Sequence, residues 1–323
     1  MPYKLLIIRG DHLIGNLLID RLLEFGHEIV TVFDISENSG TNNNNNNNSR
    51  SIDNIINVNN KYIRDGNLQV LKGIENNFDD IVKYSLDSDG IIYLPKVVNF
   101  NTFTTDISQE SQLIERILKN INGTSRWFIY AHDILSDGEQ GLLDQYQLET
   151  KLLQYDNTKA VIRLPSIIYN HKEDKIIDSN LTDNSSSKFL NQFIEFAMAL
   201  TFSGYINEGD NIWGSIEIHD LVGYFIEIIT NIINETNDNK VYNLITENNT
   251  TKDISTSISK KVKIPVMSIS SHQADQFYSS LGLLWELNLV DDTTNLGSLS
   301  YKPKQLEILK YLSKNEDSCC TIM

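Results

Sequence analysis

The first thirty-four residues constrain the fold of this chain more than any other segment. An apolar run, LLII, is followed by a turn that contains Gly10 and Gly15, an amphipathic stretch, and a second apolar run that ends at Asp34. Two short apolar runs around a segment with helical periodicity are typical of a strand–helix–strand unit with parallel strands. We predict these three elements at residues 3–9, 14–25 and 28–34.

The same alternation continues along the rest of the chain. Apolar runs predict further strands at residues 61–64, 89–94, 125–131, 159–164, 215–220 and 240–246. Amphipathic stretches predict further helices near residues 70–84, 104–120, 140–154, 187–201 and 220–235. Short apolar strands that alternate with helices are typical of a parallel sheet covered on both faces. The sequence therefore predicts an α/β fold with a doubly wound, Rossmann-like parallel sheet.

Composition suggests a division of the chain. We expect a Rossmann-like domain over residues 1–170, a smaller C-terminal α/β substrate region over 171–315 and a flexible tail over 316–323. Within the second region, residues 216–247 are expected to return to the Rossmann core. Residues 38–58 contain the polar run TNNNNNNNS. Such a run cannot bury apolar surface, so it predicts a disordered surface loop.

Net charge and cysteine usage limit the partners. The 323-residue chain carries a formal net charge of −16, which repels nucleic acid and anionic lipid. We therefore expect no nucleic-acid partner. Cys319 and Cys320 are its two cysteines, and both lie near the C-terminal end. We expect no disulfide framework and no metal site, and this usage fits a reducing, cytoplasmic compartment.

Seven segments, taken in order, resemble the extended or atypical short-chain dehydrogenases/reductases, the NAD(P)-dependent epimerase/dehydratase-like proteins. They are LLIIRGDHLIGNLLIDRLLEFGHEIVTVFD, SDGIIYLP, WFIYAHDILSDG, AVIRLPSIIYN, SIEIHDLVGYFIEII, KVYNLITENNTTKDISTSI and SYKPKQLEILKYL. Together they span nearly the whole chain. The resemblance implies the same fold, an NAD or NADP cofactor, and hydride transfer assisted by a Tyr, a Lys four residues later and a Ser or Thr.

The turn after the first strand departs from the pattern of that family. Its three glycines serve a left-handed turn, close approach of the backbone to pyrophosphate, and helix–strand packing. The first falls on Arg9, the middle one on His12, and the last is kept as Gly15; Gly10 replaces the first only in a turn one residue shorter. A non-glycine residue in left-handed geometry costs roughly 1–2 kcal/mol. Two interpretations stay open: Arg9 binds phosphate beside the helix N-terminus, or the turn has decayed.

Other positions complete the cofactor set that the resemblance implies. Asp34 ends the second strand, where an acid holds the ribose 2′-hydroxyl and favours NAD over NADP; a solvated acid at a strand end is the alternative. Asn67 stands where the family has an Asp beside the adenine, and its amide can bond an exocyclic amine. The remaining candidates are Leu13, Leu94 and Pro165.

This sequence does not keep the spacing of the family's catalytic Tyr and Lys. Tyr146 and Lys151 are the nearest candidates, but they are five residues apart rather than four. On a helix, a separation of four places two side chains on one face and a separation of five does not. We predict that Tyr146 and Lys151 are not a catalytic pair.

Two His-Asp pairs follow predicted strands. His132 falls at the family's serine position and Asp133 follows it. A replacement acid–base centre and an ordinary polar strand end are both open interpretations. Asp220 follows His219 and is predicted to be the N-cap of the next helix, because a short acidic side chain bonds free backbone amides well.

The C-terminal sequence SCCTIM fits a prenylation motif. Cys320 is the expected acceptor, and the terminal Met favours a farnesyl group; a chance tail is the alternative. One lipid chain gives only reversible attachment, and the preceding KYLSKNEDS is not polybasic, so Cys319 is the candidate for palmitoylation. The motif predicts a peripheral protein on the cytoplasmic face of a membrane.

Three functions stay open at this point. The first is a degenerate NAD(P)-binding, short-chain dehydrogenase-like protein that acts as a membrane-tethered binding or regulatory module for a small molecule. The second is an active NAD(P)-dependent oxidoreductase or epimerase with a rearranged active site. The third is a scaffold whose one distinctive feature is its C-terminal tail. The sequence indicates neither the substrate nor the oligomeric state.

Overall fold

A computed structural model describes most of the chain. The described residues are 1–33, 60–73, 78–95, 107–133, 146–170, 187–236, 240–278, 282, 285–287, 296, 299–304 and 307–313. Several predicted features lie outside these residues. They are Asp34, the Asn-rich segment 38–58, the first part of the predicted helix 140–154, residues 171–186, and the tail with Cys319 and Cys320.

The first half of the chain alternates strands and helices. In order, these are β1 (Lys4–Ile8), α1 (Leu13–Glu24), β2 (Glu28–Phe33), α2 (Asn60–Arg64), β3 (Leu68–Lys72), α3 (Phe78–Asp87), β4 (Gly90–Tyr93), α4 (Ile107–Ile121), β5 (Trp127–Asp133), the helical segment α5 (146–152), β6 (Thr158–Leu164) and β7 (Ile167–Tyr169). The second half contains α6 (Ser187–Leu200), β8 (Ser203–Ile206), β9 (Ile212–Glu217), α7 (Ile218–Ile233), β10 (Val241–Asn243), β11 (Glu247–Thr250), α8 (Thr251–Val262), β12 (Val266–Ile269), α9 (Ser271–Tyr278) and α10 (Ile308–Ser313).

Seven of these strands form one parallel sheet in the order β10-β6-β5-β4-β1-β2-β3. The central strands are apolar along their whole length because both faces of the sheet are covered. In β1, Leu5 and Ile7 belong to the core shared with α1 and α7, whereas Leu6 and Ile8 belong to the core shared with α3 and α4. The predicted α/β fold with a doubly wound parallel sheet is confirmed.

A second apolar cluster lies in the C-terminal part of the chain. Around it are a three-stranded sheet, β11-β9-β7, and a parallel pair, β12-β8. Its centre is aromatic: Phe193 stacks on Trp285 at 4.0 Å between ring centroids, and Trp213 meets Trp285 edge-on at 4.7 Å. From this cluster the chain reaches β10, which pairs with β6 at one edge of the main sheet.

Two local predictions are wrong. Residues 61–64 belong to the short helix α2, and the strand follows at Leu68–Lys72. This strand overlaps the start of the stretch predicted as a helix over 70–84, and the helix itself occupies Phe78–Asp87. The positive φ of Gly66 separates the two elements. Leu68 pairs with Ile29 of β2 and so extends the sheet. The alternation of LQVLK is a strand signal, but five residues are too few to outweigh the helical stretch that follows.

The start of α7 also differs from the prediction. Its N-cap is Glu217, whose Oε2 accepts from the backbone amides of His219 at 2.6 Å and Asp220 at 3.3 Å. Asp220 lies in the first turn, and its side chain is buried. The cap shifts because Glu217 ends β9 pointing inward, where its longer side chain folds back onto the amides.

Two kinds of feature are absent from the described part of the chain. No helix there is both long enough and apolar enough to span a bilayer. No three His, Cys, Asp or Glu side chains there are grouped so as to hold a metal ion.

Candidate functional site

The turn between β1 and α1 is held against β2. The backbone amides of Arg9 and Gly10 both donate to the Val32 carbonyl, at 2.8 and 3.2 Å. Arg9 has φ of 65°. The left-handed residue of the turn is therefore Arg9, at the position where the resemblance places a glycine.

Gly10 and Gly15 have packing roles instead. A Cβ on Gly10 would lie 2.0 Å from Thr31 Oγ1, and a Cβ on Gly15 would lie 2.6 Å from the Cα of Gly10. Gly10 thus lets the turn approach β2, and Gly15 lets α1 approach the turn. The backbone frame of a phosphate-binding turn is kept by these two residues.

The side chain of Arg9 points to internal partners. It is 5% exposed, and its Nη1 lies 3.4 Å from the Leu94 carbonyl oxygen and 3.4 Å from Glu110 Oε1 on α4. The guanidinium group also lies 5.0 Å from the centre of the Tyr93 ring. Arg9 therefore links β1 to β4 and α4 through its charge.

The first turn of α1 has no side-chain cap. His12 is the N-cap, in extended geometry, and its ring makes no bond to the helix amides. By contrast, α7 and α8 are capped by Glu217 and Thr250. Uncapped amides at a helix N-terminus attract an anion.

An acid lies next to these amides. Asp11 is 7% exposed, and its Oδ1 is 3.9 Å from His12 Nε2, which is too long for a hydrogen bond. Arg9, Asp11 and Glu110 are charged side chains close together at this turn. The backbone of this turn keeps the close approaches at Gly10 and Gly15 that a dinucleotide-binding turn uses.

The other candidate cofactor residues are spread over the same sheet. Leu13 is the first residue of α1 and is half-buried. The Leu94 amide donates to the Ile8 carbonyl at 3.2 Å, next to the turn. Asn67 is exposed, and its backbone bonds Tyr62 and Ile29. Pro165 is buried between β6 and β7.

His132 belongs to a buried charged triad. Its Nε2 lies 3.2 Å from Glu149 Oε2 on α5. Glu149 accepts two further bonds from Arg163 of β6, at 2.9 Å from Nε and 2.7 Å from Nη2. Burial raises the pKa of Glu149, but the bonds from His132 and Arg163 and the charge of Arg163 outweigh it, so that pKa is lowered. Glu149 is therefore a carboxylate at neutral pH.

Sequence reasoning paired His132 with Asp133 and missed Glu149. One signal was present: Glu149 follows Leu148 and lies three residues before Leu152, both of which are buried. An acid at such a position on an apolar helix face needs a buried cationic partner.

Two aromatic rings connect the turn to the triad. Tyr93 lies beside Tyr130 at 6.0 Å between centroids, and Tyr130 stacks on His132 at 5.4 Å with an interplanar angle of 23°. Burial raises the pKa of Tyr130 far above its usual value, so its phenol stays protonated. The row runs from Arg9 to His132 across the carboxyl ends of β1, β4 and β5.

Tyr146 and Lys151 point to different partners. Tyr146 is 39% exposed, and the Arg163 guanidinium lies 5.0 Å from the centre of its ring. The ammonium group of Lys151 pairs with Glu115 of α4, and this bond is the main reason that the pKa of Glu115 is lowered. The structure does not bring the two side chains together.

A second group of acids binds a segment near the C-terminus. We call residues 299–304 and 307–308 the strap. Glu227 accepts from the Ser300 amide at 2.5 Å, the Ser300 hydroxyl at 2.6 Å and the Tyr301 amide at 2.7 Å. Asp220 accepts from the Tyr301 hydroxyl at 2.8 Å and the Lys304 amide at 2.9 Å. The strap is thereby fixed to α7.

The other end of the strap is fixed to the C-terminal core. Glu247 accepts from the Tyr169 hydroxyl at 2.7 Å and from the Ile308 amide at 2.9 Å. Burial raises the pKa of Glu247 despite these two bonds. Strap contacts therefore join the layer of the main sheet to the C-terminal core.

Known structures place this fold among the epimerases and dehydratases. The dTDP-glucose 4,6-dehydratase DesIV of Streptomyces venezuelae, solved with NAD and TYD bound, superposes with a TM-score of 0.65 at 11% identity, over 96% of this chain and 94% of that one. The UDP-N-acetylglucosamine 4-epimerase of Methanobrevibacter ruminantium, in complex with UDP-N-acetylmuramic acid, gives 0.61 at 14% identity, over 97% and 96%. The chain shares its fold with these two enzymes.

Sequence comparison gives a relative of unassigned activity. The uncharacterized protein YLL056C of Saccharomyces cerevisiae is 23% identical over 97% of this chain and 98% of its own length. No protein-family model matches the chain.

Proposed function

We propose that this chain is a binding or regulatory module, built on an epimerase/dehydratase fold, that does not transfer hydride. One observation carries the proposal. Tyr146 contacts Arg163, whereas Lys151 pairs with Glu115, so the two side chains do not act on each other. A nicotinamide cofactor, when bound, supplies the hydride donor or acceptor, but the substrate hydroxyl still needs a proton-transfer group. Lysine ammonium groups do lie over the rings of other tyrosines, at 5.2 to 6.0 Å from the ring centres, in the pairs Lys61–Tyr62, Lys252–Tyr205 and Lys304–Tyr301.

The pKa shifts of the tyrosines support the proposal. A phenol that passes a proton near neutral pH needs a lowered pKa. Burial instead raises the pKa of each tyrosine with a resolved shift, to about 12 for two of them. These five residues are Tyr130, Tyr169, Tyr224, Tyr278 and Tyr301.

The test is a binding titration joined to a turnover assay. Purified protein is titrated with NAD⁺, NADH, NADP⁺ and NADPH and then assayed with sugar-nucleotide, steroid and aldehyde panels. We expect no turnover with any of them. Turnover that follows enzyme concentration contradicts the proposal.

One observation favours a second function, an active NAD(P)-dependent oxidoreductase or epimerase with a rearranged site. His132 and Glu149 lie 3.2 Å apart in a buried setting. An imidazole bonded to a carboxylate moves protons near neutral pH. In this case, His132→Gln removes a measured activity, whereas Tyr146→Phe leaves it unchanged.

The proposal includes a tether at the cytoplasmic face of a membrane, with Cys320 farnesylated and Cys319 palmitoylated. It is supported by the C-terminal motif alone. Intact mass spectrometry and cell fractionation of wild type and Cys320→Ser test it. An unmodified wild-type C-terminus and wholly cytosolic behaviour contradict the tether and leave the binding module untouched.

A further inference from the structure

We propose that one corner of the C-terminal core is a docking surface for an anionic membrane. The corner lies where α8 ends and β12 begins, and it consists of Lys260, Lys263, Pro265, Val266 and Met267. This inference deepens the proposed function and rests on its tether, because it names the face of the module that lies against the lipid.

The first observation is the charge along this part of the chain. Residues 254–274 contain no Asp or Glu, and they are the longest such stretch in a chain with 43 acidic residues. Within this stretch, Lys260 and Lys263 are exposed, and neither forms an ion pair with a described residue. Lys261 is half-buried and has other contacts, so it is not counted. The corner is therefore locally positive although the chain as a whole is acidic.

The second observation is that apolar side chains are exposed beside these lysines. Val266 is 38% exposed and Met267 is 47% exposed, and Pro265 is exposed as well. Lysines at the end of a helix stabilise its dipole, but that role does not require exposed apolar neighbours. Cationic and apolar side chains together bind a protein to the interface of an anionic membrane.

The backbone of the corner is held in place. Lys263 has φ of 58°, and its amide donates to the Ser259 carbonyl. The Ile264 amide donates to the same carbonyl at 3.1 Å, and the Pro265 carbonyl accepts from the Ser203 amide at 2.9 Å. Docking therefore does not have to order this part of the backbone, which lowers its entropic cost.

The reach of the C-terminal segment brings the proposed lipid close to the corner. Helix α10 packs on α8 and ends at Ser313. Residues 314–320 lead from there to Cys320 and span at most about 25 Å when fully extended. The twelve residues of α8 are about 18 Å long. A lipid on Cys320 is thus confined to the neighbourhood of the helix that ends in the corner.

The formal net charge of −16 opposes approach to an anionic surface but does not decide the contact itself. At physiological ionic strength, charges more than about 8 Å apart are largely screened. The acids nearest to the corner along the chain are Asp253 and Asp275, and Asp253 lies in the first turn of α8, at the opposite end of that helix. The lysines therefore dominate at contact and add to a lipid chain that alone attaches only reversibly.

The test anchors the chain chemically, so that it does not depend on processing in cells. A Cys319→Ser variant of the full chain leaves Cys320 as its one cysteine, which is coupled to a maleimide lipid in vesicles. The vesicles contain either phosphatidylcholine alone or phosphatidylcholine mixed with phosphatidylserine. Hydrogen–deuterium exchange is then measured over residues 260–269 on both kinds of vesicle.

Three variants are compared in this background. Lys260→Gln with Lys263→Gln removes the two charges of the corner, and Met267→Gln removes one exposed apolar side chain. The matched control is Lys61→Gln with Lys83→Gln, which removes two charges from exposed positions on α2 and α3. Thermal melts establish that each variant is folded.

We expect exchange over 260–269 to be at least about fivefold slower on the vesicles with phosphatidylserine than on those without it. The corner lysine variant should lose this protection and Met267→Gln should weaken it, whereas the control should keep it. Equal exchange on the two kinds of vesicle overturns the inference, and so does an equal loss in the control. Full protection in Met267→Gln overturns the apolar part of the surface.

The proposed function fails by different results. An unmodified C-terminus in cells contradicts the tether, and turnover contradicts the binding module. Neither result changes the exchange of the chemically anchored chain, so the two failures are distinguishable.

Discussion

Arg163 of β6 donates two parallel hydrogen bonds to Glu149 of α5, at 2.9 and 2.7 Å. The side chains are 14% and 6% exposed. This bidentate pair anchors α5 to the carboxyl end of the sheet and holds the carboxylate against His132. The pair lies beside His132, which stands at the position where the resemblance implies the serine of the family.

Removal of Glu149 is expected to destabilise the protein strongly. Glu149→Ala leaves the charge of Arg163 without its bidentate partner, and breaking a buried pair from one side costs about 3 kcal/mol. The exposed pair Arg21–Glu24 is the control: Glu24→Ala is expected to cost less than about 1 kcal/mol. Urea unfolding measures both, and a cost for Glu149→Ala no larger than that of the control contradicts the prediction.

The same carboxylate predicts a pH dependence. The pKa of Glu149 is lower in the folded chain than the ordinary value of 4.5, so ionised Glu149 stabilises the fold above that value. This contribution is lost as the pH falls from about 4.5 through the lowered folded-state pKa. Glu149→Gln does not titrate, so its stability deficit relative to wild type is expected to shrink between about pH 5 and pH 3. Unfolding free energies measured across this range test it; a constant deficit is the contrary result.

Arg9 and Glu110 are expected to be energetically coupled. Arg9→Gly relieves left-handed strain of roughly 1–2 kcal/mol but leaves a buried carboxylate whose pairing is worth about 3 kcal/mol, so we expect a net loss. Glu110→Gln in the same chain removes that carboxylate. The double variant should therefore be more stable than Arg9→Gly alone. A double-mutant cycle by chemical denaturation measures the coupling, and additive effects would show that the pair contributes nothing.

The strap is expected to loosen when Glu227 is removed. Glu227→Ala removes the carboxylate that accepts hydrogen bonds from the Ser300 and Tyr301 amides. Hydrogen–deuterium exchange over 299–304 should then become faster, while exchange in β1 stays unchanged. Glu195→Ala, an exposed acid on α6, controls for the change in net charge. Equal protection of the strap in both variants contradicts this prediction.

The sequence predicted the parts of the fold that have a strong local period. The twelve residues of α1 show a clear helical spacing, and the apolar runs of β1 and β2 flank that helix directly. The family resemblance places the left-handed residue of the turn at Arg9, whose φ is 65°. The error around α2 and β3 arose because five residues are too few to show whether apolar residues recur with the spacing of a helix or with that of a strand.

The sequence did not predict which side chains pair when the two residues are far apart along the chain. Glu110 lies about a hundred residues after Arg9, and the sequence contains no pattern that pairs them. Glu149 is only 17 residues from His132, yet no sequence pattern shows that Glu149, rather than the adjacent Asp133, is the partner of the imidazole. In both cases a buried charge indicated that a partner must exist without indicating which residue it was.

The strap also determines how the molecule responds to tension. Ile308 and Leu312 of α10 are buried in the C-terminal core, whereas Tyr301 packs on the layer beneath the main sheet. A force applied at the chain's end is therefore transmitted in series, first through α10 and the bond from Ile308 to Glu247, then through Tyr301 and Asp220. We expect these contacts to yield before the strands of the parallel sheet, because the strap lies nearer to that end along the chain than the sheet does. A molecule held by its C-terminus under drag would thus extend by its last segments while the Rossmann-like core remained intact.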